Sequence, residues 1–131
     1  MNSLKHLKNL SIGCLMLLLF CAASYRIIPV VSLNGMTNGP IEVNNFIRNT
    51  HLEITCPRSR DCAIHTYTMY HISLTKELQI IKGKQCAFSP SIQAAIKQAE
   101  KGDKYIFIGV KVRCEGDVKS ISVNPLNFNI K

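Results

Sequence analysis

The sequence predicts a single α+β domain: a small, mostly antiparallel β-sheet with one packed amphipathic helix at about residues 90–101. Three observations carry that reading. Several stretches alternate polar and apolar residues with period two, the pattern of half-buried strands, most regularly in Lys104–Cys114. One stretch, opening at Ser89-Pro90, repeats its apolar residues at helical spacing instead. The chain has 131 residues, 47% of them hydrophobic and 18% charged, which suits one packed core, and no repeat or glycine-rich linker divides it. Strands joined by short turns around a single helix pack as two layers of the α+β kind.

In chain order, Lys5 and Lys8 precede an apolar run from Leu10 to Phe20, and the small residues Ala22, Ala23 and Ser24 follow. A positive start, a short apolar stretch and small residues form the layout of a secretory signal peptide. Residues 1–24 are therefore assigned to a signal peptide cut after Ala23 or Ser24, and residues 25–131 to the folded domain. Leu10 to Ser24 is too short for the ~20 apolar residues that span a bilayer as a helix, and Arg26 closes it. A form lipid-anchored through Cys21 ranks second, because bulky Phe20 stands where lipoprotein peptidases take a small residue.

Ile27 to Val31 is a β-branched run, read as a first strand or leader, and Asn34-Gly35 turns it. Ile41 to Asn49 suits a short helix or an irregular lead-in, and His51 to Cys56 alternates as a strand with Leu52, Ile54 and Cys56 on one face. A long strand follows from Cys62 to Thr75. Strict alternation puts Ile64, Thr66, Thr68, Tyr70, Ile72 and Leu74 on one face, and His65, Tyr67, Met69, His71 and Ser73 on the other. Glu77 to Lys82 forms a further strand, which Lys82-Gly83-Lys84 ends. Ser89 suits an N-cap and Pro90 a first helical position; Ile92, Ala95, Ile96 and Ala99 share a stripe, and Lys101-Gly102 supplies a basic last turn and a terminating glycine. Lys104 to Cys114 then places Ile106, Ile108, Val110 and Val112 on one face, with Tyr105, Phe107, Gly109, Lys111 and Arg113 opposite. Glu115-Gly116-Asp117 turns the chain, and Ile121, Val123, Phe128 and Ile130 make a last strand that Asn124-Pro125 marks as an edge or a bulge.

Four cysteines follow the signal peptide, Cys56, Cys62, Cys86 and Cys114, and in an exported chain these are disulfide candidates. Only Cys56 with Cys62 has a local argument, since five residues separate them; Cys86 and Cys114 then pair or stay free. A zinc site ranks well behind, because the gaps of two to four residues usual for zinc ligands are missing. The excess of 16 basic over 8 acidic residues allows anionic partners, yet the charge is spread and no aromatic interleaving marks a nucleic-acid surface. No nucleic-acid partner is expected. Patterns such as HExxH, GxSxG, GxGxxG or a P-loop are absent, and His65 and His71 lie six residues apart, roughly 20 Å along a strand at ~3.3 Å per residue. Glu77, Glu100, Asp103, Glu115 and Asp117 fall at expected ends and turns, so solvated charge explains them. No catalytic, cofactor-binding or metal-binding residue is assigned, and no small-molecule substrate is expected. The outward side chains of Tyr67, Met69, Tyr105 and Phe107 are the candidate interaction face.

From Phe88 to Ile130 the chain resembles the C-terminal domain of the GldM/PorM family of gliding-motility and type IX secretion proteins. The resemblance is a succession: Phe88-Ser89 opening a helix, Lys101-Gly102-Asp103 leaving it, the strand Tyr105 to Lys111, the turn Gly116-Asp117, and a close at Phe128-Asn129-Ile130. Gly39-Pro40-Ile41 and two alternating strands match the earlier half. The resemblance implies a noncatalytic, exported and periplasmic interaction module with protein partners of the cell envelope and a tendency to homodimerise. The chain departs from the family in lacking its long helical and immunoglobulin-like portions and in carrying four cysteines after the signal peptide. The alternative is a secreted, disulfide-stabilised binding protein or inhibitor unrelated to secretion machinery, with the basic loop Pro57 to Asp61 as its contact. A thiol or hydrolytic enzyme ranks last.

Overall fold

A computed structural model describes residues 28–56 and 60–131. The signal-peptide assignment, Cys21, and Pro57 to Ser59 of the basic loop lie outside these residues. Ten elements follow in order: β1 (Val30–Ser32), β2 (Asn38–Ile41), α1 (Val43–Phe46), β3 (Glu53–Thr55), β4 (Cys62–Ile72), β5 (Gln79–Gly83), α2 (Pro90–Lys97), β6 (Lys104–Cys114), β7 (Ile121–Ser122) and β8 (Leu126–Ile130). The architecture is α+β, as the alternation and the single amphipathic helix imply. Its main sheet runs β2-β8-β6-β4-β5, with β7 beside β6. Every pairing in it is antiparallel except β2 with β8, which is parallel.

The turn at Asn34-Gly35 forms as its residues require. Asn34 and Gly35 both take positive φ, 49° and 77°, and Leu33 and Met36 exchange two backbone hydrogen bonds across them. That reversal sends β1 and β2 to different sheets, since β1 pairs with β3 alone. The side chain of Asn124 then holds β1 at two points, accepting from the Val31 N–H at 3.0 Å and donating to the Val31 carbonyl at 2.8 Å. It stands in for a strand neighbour. Asn124-Pro125 accordingly separates two strands, β7 and β8, instead of bending one.

Helix α2 begins where Ser89-Pro90 placed it, with the Ile92 N–H donating to Ser89 Oγ at 3.4 Å. It stops at Lys97, short of the expected 101. The Glu100 N–H, which a longer helix would direct to Ile96, donates instead to Asp103 Oδ2 at 2.9 Å, and Gly102 at φ 96° turns the chain into β6. Ile92, Ala95 and Ile96 bury the inner stripe of α2, and Tyr105 Oη donates to the Ala95 carbonyl at 2.6 Å, fastening the helix to β6.

Both long strands slip phase in mid-course, which corrects the two alternating faces expected of them. Ile64 stands opposite Val112, Thr66 opposite Lys111, and Thr68 opposite Ile108, so β4 has an extra residue at His65 and β6 an extra one at Gly109. The two bulges cancel in register. Each leaves two successive residues pointing out, His65 with Thr66 and Ile108 with Gly109, and Gly109 takes a φ of 60°. Ile64, Tyr67, Met69 and His71 therefore all enter the core, together with Tyr105, Phe107, Val110 and Val112. With Phe46, Phe88, Leu126, Phe128 and Ile130 the apolar ones form one cluster, which also takes in Val31 of β1 and Ile92 and Ile96 of α2.

Candidate functional site

Tyr67 is 2% exposed, and Met69, Tyr105 and Phe107 are 0% exposed, so the expected interaction face is the interior. The physical reason is the pair of bulges, which turns the larger rings of both strands inward. Tyr67 packs on Phe107 at 5.9 Å between ring centres, and Tyr105 on Phe46 at 4.5 Å. Burial pushes the Tyr67 phenol up to about 12, with the neighbouring Cys86 adding to it, and burial with Asp103 and Glu100 raises Tyr105 as well.

The bulges also part the two histidines expected on one face: His65 is exposed, while His71 is 1% exposed. His71 Nε2 lies 2.9 Å from Asp103 Oδ2, its Nδ1 lies 3.2 Å from Gln79 Oε1, and its ring stacks on Tyr105 at 4.2 Å. Asp103, expected as a solvated turn residue, is 3% exposed. A histidine beside a carboxylate is the arrangement of a general base with its orienting group. Here both ring nitrogens are already engaged, so neither faces a nucleophile or an opening. The pair ties the end of β4 to the exit of α2 and to β5, a positioning role in the fold.

Cys62 bridges to Cys114, its direct cross-strand neighbour in β4 and β6, and Cys56 and Cys86 are free thiols. This replaces the local Cys56 to Cys62 link. The hydrogen bond from the Glu115 N–H to the Asp61 carbonyl at 2.7 Å flanks the bridge and marks the close type of antiparallel pair, where side chains approach nearest. Beside it Arg60 meets Asp117 at 2.9 Å and the Glu115 carbonyl at 2.8 Å, so one basic residue of the expected contact loop is tied to the sheet end. Among the described residues no three of His, Cys, Asp or Glu gather to hold a metal.

Among the described residues, what remains open is the other face of the main sheet. Its rows read across strands as Ile80, Tyr70, Ile106 and Asn127; Lys82, Thr68 and Ile108; and Ile72, Lys104 and Asn129. Ile80 is 55% exposed, and Ile72 and Ile108 are exposed as well, with Leu78 at 54% beside them. Further along, Lys111 and Arg113 point the same way. Sequence reasoning missed this face because it sent the wrong half of each strand outward. No family model matches the chain, and no curated protein is significantly similar to it. The site therefore stands on its geometry: an apolar centre of Ile72, Ile80, Ile106 and Ile108, a basic surround, and a backbone edge along β5.

Proposed function

We propose that this chain is a noncatalytic, exported protein-interaction module of the cell envelope, similar to the terminal periplasmic domain of the GldM/PorM proteins. The open face of the main sheet is the single observation that carries the reading, because monomeric domains rarely leave several aliphatic side chains adjacent on one exposed face. The engaged ring nitrogens of His71 support a role without turnover. A disulfide between strands supports an oxidising compartment, where such bonds persist. The succession from Phe88 to Ile130 supports the family likeness, and the layout of residues 1–24 supports export.

Photo-reactive residues placed singly at Thr68 and Ile108 in the native cell test this reading. The expected result is a discrete protein adduct from both, and none from Gln98 behind the sheet. Adducts confined to Arg58 or Arg60 would instead favour the secreted binding protein or inhibitor, and in that case exchanging both arginines for Ser abolishes partner binding.

A further inference from the structure

We infer that the open face and the free edge of β5 together accept an extended acidic segment of a partner protein, added to the sheet as the strand beyond β5. The inference rests on the interaction-module reading and names the chemistry of its partner. Among the described residues the main sheet ends at β5 on one side and at β2 on the other. β2 carries Pro40, which has no N–H to offer, whereas all five residues of β5 keep theirs. A sheet edge with alternate N–H and C=O groups free is a template for one more strand.

The side chains along that edge state what the strand must carry. Leu78, Ile80 and Lys82 alternate toward the open face, while Gln79 and Ile81 turn inward, Gln79 to His71. All eight acids of the chain, Glu42, Glu53, Asp61, Glu77, Glu100, Asp103, Glu115 and Asp117, fall outside the six strands of the main sheet. Those strands hold Lys82, Lys104, Lys111, Arg113 and His65. An incoming strand with apolar residues beside Leu78 and Ile80 and carboxylates toward Lys82 therefore meets complementary chemistry at each step. A second copy of this chain brings the same excess positive charge, which argues against self-pairing. An anionic lipid surface matches the charge but has no backbone to satisfy the edge.

Two synthetic peptides test the inference on the oxidised protein: one carries Val, Val and Glu at every second position with Thr between, so that all three share a face, and the other carries Lys in place of the Glu. Binding of the Glu peptide should protect the alternate, outward-facing amides of β5 from exchange and shift the resonances of Tyr70 and Ile106. It should weaken by roughly tenfold on Lys82→Glu and fall with rising salt. Ile80→Asp should abolish it. Both substituted side chains are exposed, and an unchanged melting temperature verifies that the variants fold. Equal binding of both peptides, protection elsewhere, self-association through β5, or affinity for phosphatidylglycerol vesicles without β5 protection would each overturn strand addition. If the peptides fail while Thr68 and Ile108 still give protein adducts, strand addition alone falls; if both fail, the interaction reading falls with it.

Discussion

Tyr67 lies over Gly83, its cross-strand neighbour in β5, and a methyl group on that glycine would collide with the ring. The contact covers a glycine that would otherwise weaken the strand and fixes the ring against Phe107. Gly83→Ala should therefore destabilise the domain by about 1–3 kcal/mol in chemical denaturation, because the buried ring, packed on Phe107, must shift to admit the methyl group. Tyr67 Oη is buried with no hydrogen-bond partner among the described residues. Tyr67→Phe should then leave stability unchanged or raise it by roughly 1 kcal/mol, since the lost hydroxyl had water only in the unfolded chain. The same burial sets a pH dependence. The Tyr67 phenol stays neutral up to about 12 in the fold, while in the unfolded chain it ionises near 10.0. Its contribution is fully present below pH 10 and is lost as pH rises through the folded value. Ultraviolet absorbance of phenolate should show Tyr67 and Tyr105 ionising late or only with unfolding, whereas ionisation of both at ordinary pH in the folded protein would contradict their burial.

At the scale of elements, the parts visible in sequence are those fixed by neighbours in the chain. Ser89-Pro90 starts α2, Asn34-Gly35 makes its turn, and Lys104 to Cys114 bounds β6 as the alternation implies. The parts not visible depend on residues far along the chain. In the first half of β6 both alternating sets are apolar, so period two alone does not choose which set enters the core there; Gly109 was the local signal of the bulge that buries members of both. The end of α2 was hidden for a related reason, since it is Asp103, fixed by His71 of β4, that draws the Glu100 N–H away. Asp103→Ala would take this partner from His71, which is buried, and from the part-buried Glu100 N–H. A loss of about 3 kcal/mol or more is expected in thermal or chemical unfolding, and a change under 1 kcal/mol would show that the pair is solvated.

Across the whole molecule, the charge and the topology lead to one arrangement. Carboxylates stay in turns, in α1's approach and in β3, so the main sheet turns a face without acids to solvent. The disulfide sits at one end of that sheet and joins residues 52 apart in sequence. Closing so long a loop restricts the unfolded chain by roughly 4 kcal/mol in the chain-entropy account. No spacing rule could have paired Cys62 with Cys114, because their approach follows from β4 lying beside β6. The export proposed above accords with the bridge, since disulfides form and persist in oxidising compartments. The most direct measurement is the intact mass of the protein recovered from its native cell, alkylated before and after reduction. The account predicts a chain beginning at Ser24 or Tyr25, with Cys56 and Cys86 alkylated at once and Cys62 and Cys114 only after reduction. A mass that retains residues 1–24, with all thiols alkylated at once, would contradict it.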